Sequence, residues 1–249
     1  MSRGPIAARN GVGRAARTVG AALALSLAPW LALSLPWSGA DAQTLDADAM
    51  LDKAATAHSA LRSLKATFEQ VIQNPLTGSS ASARGEMLQK GPRYLAIRFS
   101  QPKGDLIVAD GQALWVYLPS TNPGQVFRVP IGAQGSAVAG SVDVLSAFFQ
   151  QPRGHYDVKD AGVSPIDGRD AHAIILMPKK PGDAPFTKAV VWIDPRSAYV
   201  RQFETTDASG LVRTVKVTRF GANAPINDNV FRFVPPANVK IFDQAGAAP

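Results

Sequence analysis

The residues best able to carry proton transfer or hold a metal are three histidines, His58, His155 and His172. None stands at ligand spacing from another histidine, a cysteine or a carboxylate pair, so no metal site is expected. Asp105 and Asp110 could be read as paired carboxylates for acid–base work. However, Asp105 begins a strand pattern and Asp110 precedes a glycine in a turn pattern, where an aspartate has an ordinary structural task. The sequence contains no H-E-x-x-H, G-x-S-x-G, phosphate-binding loop or dinucleotide fingerprint. It also has no cysteine, which removes thiol chemistry and disulfides. An exported hydrolase using Asp105, Asp110 or His155 is the weakest reading; no catalytic residue, metal or cofactor is expected. Binding or carriage is favoured over catalysis.

The elements that would position a binding site begin after a distinct leader. Arg3, Arg9, Arg14 and Arg17 form a basic stretch without acids, followed by an uncharged Ala/Leu-rich run from Thr18 to Leu35 and by Ala40-Asp41-Ala42. This order is that of a cleaved secretory signal peptide over residues 1–42, with cleavage after Ala42 or, alternatively, after Ala40. The expected compartment is the periplasm, and no cysteine follows the run that could be lipidated. Of 26 basic and 19 acidic residues, the leader holds 4 and 1, so the mature chain carries 22 against 18, or +4. That mild charge, without Lys/Arg runs, does not point to nucleic acid.

Leu45 to Ala60 has a helical apolar stripe at Leu51, Ala54, Ala55 and Leu61, with Asp46 or Asp48 at its start. Leu64 to Gln73 alternates as a strand, and Asn74 to Ser82 reads as a connection. Strand patterns follow at 83–90, 93–100, 105–109, 112–118 and 125–129, with Asp110-Gly111 marking a tight hairpin in which both central residues would need φ > 0. Pro130 to Gly140 is Gly/Ala-rich and weakly structured. Ser141 can then cap a short helix with Val142, Leu145, Phe148 and Phe149 on one stripe. Strands resume at 155–160, 171–177, 186–193, 199–206 and 211–220, and a final short strand is expected around Phe231-Arg232-Phe233. Residues 43–243 thus form one domain, α+β but mainly β, with a short tail over 244–249. Leu106-Ile107-Val108 and Leu114 to Leu118 are apolar on both faces, as in a sheet covered on both sides or enclosing something apolar.

Gly85 to Pro102, continued by Leu106-Ile-Val-Ala-Asp-Gly-Gln-Ala-Leu-Trp-Val-Tyr-Leu-Pro119 and Gln125-Val126, resembles the LolA family of periplasmic outer-membrane lipoprotein carriers. Met177-Pro178-Lys179, Val200 to Phe203 with Asp207 and Gly210, and Phe231-Arg-Phe-Val-Pro-Pro236 extend the resemblance over nearly all of Leu45 to Val239. It implies a strongly curved antiparallel sheet, an incomplete barrel, with short helices forming a lid over an apolar cavity that shelters lipoprotein acyl chains. The implied partners are lipoproteins, an inner-membrane lipoprotein-releasing transporter and an outer-membrane lipoprotein receptor, with the carrier acting as a monomer. Alternatives on the same fold are a carrier of another lipid, or an envelope-stress sensor of mislocalised lipoproteins. The expected cavity lining is Leu95, Ile97, Phe99, Leu114, Val116, Val190 and Trp192, and the expected lid helix carries Val142, Leu145, Phe148 and Phe149. The family often has a lid-latching arginine where this sequence has Gly91. Arg93 is the first candidate to replace it and Arg98 the second.

Overall fold

The computed structural model describes residues 46–131, 144–149 and 151–243, all within the unit Gln43–Pro249. The expected signal peptide, Ser141, Val142 and the expected tail 244–249 lie outside the described residues.

The first helix, α1 (Ala47–Ser59), starts where the Asp46 carboxylate accepts the backbone N–H of Asp48, and buries Ala47, Met50, Leu51 and Ala54 on one side. Strands β1 (Ser63–Asn74), β2 (Ser79–Lys90), β3 (Tyr94–Gln101), β4 (Leu106–Asp110), β5 (Ala113–Tyr117) and β6 (Gln125–Pro130) follow as a meander. After the short helices α2 (Val144–Phe149) and α3 (Pro152–His155), a second meander runs through β7 (Tyr156–Ile166), β8 (Arg169–Pro178), β9 (Lys188–Ile193), β10 (Val200–Thr206) and β11 (Val212–Ala222). The last strand is β12 (Lys240–Asp243). Among the described residues, twelve strands form one curved, open sheet in the order β12-β6-β5-β4-β3-β2-β1-β11-β10-β9-β8-β7, not closed into a barrel.

Four expectations are corrected. Most of the expected loop 74–82 is strand: Asn74 Oδ1 accepts the Leu76 N–H, Gly78 turns the chain at φ 69°, and β2 pairs with β1 from Ser79 onward. Phe231 to Phe233 is not a strand but follows from a 3-10 turn over Asp228–Phe231. The final strand is β12, which adds to β6 in parallel, so the sheet is not wholly antiparallel. Finally, the two residues linking β4 to β5 are Gly111 and Gln112, and only Gly111 has positive φ, at 90°. Asp110 instead caps the turn, its Oδ1 accepting the N–H groups of Gln112 and Ala113 at 2.8 Å each and its Oδ2 the Trp115 indole at 2.8 Å.

The apolar residues on both faces of β3 and β4 have two destinations. On the outer face, Leu88, Ala96 and Val108 pack with Phe231, supported by Ile226, Val230 and Phe233. On the inner face, Leu95, Ile107, Ala109, Leu114, Val116 and Val129 form a second cluster. The largest cluster lies over the other half of the sheet. There α1 and Phe148 of α2 cover Ile174, Leu176, Ala189, Val191, Ile193, Phe203 and Val215.

Asp110, Asp194 and Asp207 each receive turn N–H groups, and each is held below the ordinary value of 3.8. For Asp110 and Asp194 burial is the largest single influence and acts upward, but the donors together outweigh it; for Asp207 the Ser209 hydroxyl leads. A depressed carboxylate stabilises the fold above its unfolded value of about 3.9, and that contribution is lost as pH falls through the folded values. The urea midpoint should therefore hold between about pH 5 and 7 and fall below about pH 4. Asp207→Asn should lower the neutral plateau and flatten the acid limb; an unchanged limb would refute this assignment for Asp207.

Candidate functional site: a lidded apolar cavity

The inner face of the sheet encloses a cavity of about 550 Å³. Its wall is built by strand alternation. On β1, Ala66, Phe68 and Ile72 project inward, and on β11 Val215 and Val217 meet them. Met87 of β2, Ile97 and Phe99 of β3, Ile107 of β4, Val116 of β5 and Phe203 of β10 continue the wall, and Leu145 of α2 enters from the lid. Phe68 and Phe99 meet edge-to-face with ring centroids 5.7 Å apart. Gly85 permits this approach: a Cβ there would sit 2.4 Å from the Arg98 carbonyl oxygen and 3.0 Å from the Phe68 ring.

Of the lining expected from sequence, Ile97, Phe99 and Val116 face the cavity. Leu95 and Leu114 share that face but are packed into the solid cluster with Ala109 and Val129. Val190 and Trp192 do not belong to the wall. On β9 it is Ala189, Val191 and Ile193 that are fully buried in the inner core, so Val190 and Trp192 point to the opposite face. Both phases of this strand are apolar, and a one-residue phase choice exchanges the faces. Sequence reasoning omitted Phe68, Met87, Phe203, Val215 and Val217. The alternation of β1 and β11 was the available signal.

Three described side chains place helix α2. Leu145 lines the cavity. Phe148 is fully buried, with ring centroids 5.4 Å from Phe203 and 5.5 Å from Phe186. Phe149 packs on His58 of α1, centroids 5.0 Å apart. Arg153 of α3 reaches Asp52 of α1, Nε to Oδ2 2.8 Å, fastening the turn that follows the lid.

Among the described contacts, neither latch candidate reaches α2. Arg93 donates to the Gly111 carbonyl at 2.8 Å and Arg98 to the Val230 carbonyl at 3.4 Å, and both partners lie away from the lid. Gly91 itself sits at φ 56°, a left-handed turn conformation that suits glycine and is strained for arginine. Among the described residues, Tyr156 does reach the lid backbone: its hydroxyl gives a 2.7 Å hydrogen bond to the Ala147 carbonyl. Burial, assisted by Asp183, pushes this phenol up to about 12, so it remains a donor throughout the neutral range. Nothing in the sequence pattern marks it beyond a tyrosine at a strand start. Tyr156→Phe should remove one net hydrogen bond, about 1 kcal/mol, and raise the open fraction of α2 roughly fivefold. Hydrogen exchange of the α2 amides measures this, and unchanged exchange would refute the latch.

The residues considered for catalysis are dispersed. Asp105 accepts the Ser120 N–H at 3.1 Å, Asp110 caps its turn, and the His155 ring lies beside that of Tyr156, centroids 6.4 Å apart. No group of three or more metal-binding side chains occurs among the described residues.

An open sheet curved around a lidded, apolar-walled cavity defines a class of proteins that bind a bulky apolar ligand. The chain belongs to the LolA family: the model described as outer membrane lipoprotein carrier protein LolA matches residues 59–234. Among curated relatives, the outer-membrane lipoprotein carrier protein of Dechloromonas aromatica is 23% identical over 180 residues, covering 72% of this chain and 81% of that protein. The protein of the same name from Chromobacterium violaceum is 26% identical over 183 residues, covering 74% and 82%. A solved LolA superfamily protein from Nitrosomonas europaea is 17% identical, with a TM-score of 0.39 over 75% of this chain and 97% of that one.

Proposed function

We propose that this protein is a periplasmic carrier that shelters the acyl chains of lipoproteins and moves them from the inner to the outer membrane. The observation that carries the reading is the apolar cavity of about 550 Å³ beneath α2. Its volume lies within the range of about 300–1,000 Å³ usual for ligand sites, where a solid core would hold nothing. Each CH2 withdrawn from water is worth about 0.8 kcal/mol, so an acylated protein cannot cross an aqueous space without such a shelter. Residues 1–42 serve as the export signal and 43–243 as the carrier domain, which acts as a monomer. An inner-membrane lipoprotein-releasing transporter loads it and an outer-membrane lipoprotein receptor unloads it. The relatives named as lipoprotein carriers support this reading.

Purified mature protein should release a triacylated lipoprotein from spheroplasts into the soluble fraction. Folded protein that releases none would overturn the assignment. Lipids co-purifying from the native host, identified by mass spectrometry, separate lipoprotein carriage from carriage of a free lipid.

A further inference from the structure

The cavity is chemically polarised. Near α2 its wall is Ala66, Met87, Val217 and Leu145, all apolar. Toward the other end the inward positions become Gln70 on β1 and Arg213 on β11. The strand registers place these at one pole. Phe68 faces Val217, Gln70 faces Val215 and Ile72 faces Arg213, so Arg213 lies about 13 Å along the strand from Val217 at roughly 3.3 Å per residue. Ile72 is opposite Ala81, and Arg84 is opposite Gln101, which brings Pro102, Asp105, Ser120 and Thr121 to the same end.

The charge at this pole is specific. Arg213 is half-buried, and burial lowers its affinity for its proton while Asp207 acts in the opposite sense. A guanidinium keeps its charge under such influences and offers several N–H donors in one plane. Asp105 is buried at the same pole and accepts both the backbone N–H and the hydroxyl of Ser120. The lining holds one guanidinium and one carboxylate, Asp105, and Asp207 acts on Arg213 from the β10–β11 turn, so the pole is rich in donors but not net positive. That combination suits neutral acceptors, the carbonyl oxygens of esters and amides, over a full anion.

We propose that Arg213 and Gln70 form a carbonyl-binding pole that takes the ester and amide linkages of an acylated cargo, with the hydrocarbon running toward α2. This rests on the cavity being a shelter for acyl chains, and it assigns the direction in which they lie. The attached polypeptide then leaves at the end formed by the β1–β2 and β10–β11 turns, away from the lid.

The test compares probes built on a twelve-carbon chain, by displacement of a naphthalene sulfonate dye, on wild type, Arg213→Met and Arg213→Lys. The probes are methyl laurate, which has an ester; laurate, which has a carboxylate; and dodecane, which has neither. Arg213→Met should weaken methyl laurate about ten- to a hundredfold and leave dodecane within about twofold, with Arg213→Lys recovering part of the loss. Wild type should hold methyl laurate at least as well as laurate. Equal losses for dodecane and the ester, or no loss for the ester, would overturn the pole while leaving the shelter intact. Stronger binding of laurate than of the ester would overturn the carbonyl assignment. A folded wild type that binds none of the three would overturn the shelter reading itself.

Discussion

Phe148→Ala should release α2 from the sheet without unfolding the rest of the protein. The ring is fully buried and contacts Phe186 and Phe203, so its truncation removes about 3–5 kcal/mol of packing. A helix of six residues has little stability of its own. The loss therefore falls mainly on lid docking, and the α2 amides should exchange about 100- to 1,000-fold faster while the β8 and β9 amides change little. Bound acylated cargo should dissociate correspondingly faster. If instead the thermal midpoint drops and α2 exchange stays coupled to global unfolding, the helix is a fixed part of the core and no lid exists.

Ile97→Asp should abolish loading while sparing the fold. Ile97 lines the cavity and is only half-buried, so an aspartate there can remain hydrated in the empty protein. A hydrocarbon chain laid against it must strip that hydration, and the effective cost of burying an ionised carboxylate is several kcal/mol. Affinity for an acyl probe should fall at least about 100-fold, the equivalent of roughly 2.7 kcal/mol. Val190→Asp, on the opposite face of the sheet, should leave binding unchanged. Equal loss from both substitutions would mean that the effect comes through stability and that the wall has been misassigned.

The contrast between those two residues shows what the sequence makes legible. Alternation located the strands, and it selected the cavity face wherever one phase is polar. On β3, Arg98 and Ser100 mark the outward phase, so Leu95, Ile97 and Phe99 face inward. On β9 both phases are apolar, and the deciding fact is the cover supplied by α1 and α2, which is tertiary. The same cause explains the Phe231–Phe233 segment. Its alternation of apolar residues resembles a strand, yet those side chains serve to cover the outer face of β2 to β4, leaving β12 to pair with β6. Tyr156 was invisible because its role depends on a carbonyl of α2, a separate element, and Arg213 because one arginine in a strand usually marks a solvated face. The absence of motif chemistry and the family resemblance pointed toward a binding cavity; which atoms line it required the register.

Within each meander every strand pairs with its sequence neighbour, but β1 joins β11 across most of the chain, with Leu64 opposite Ala222. Local hairpins form quickly, whereas a pairing so distant in sequence must first close a long loop. The cavity draws its wall from both sides of that seam, with Phe68, Met87 and Ile97 before it and Phe203, Val215 and Val217 beyond. Two half-sheets assembled separately therefore have no binding site between them. The cavity wall is complete only once β1 has paired with β11, so a chain whose hairpins have formed but whose seam is open lacks the site.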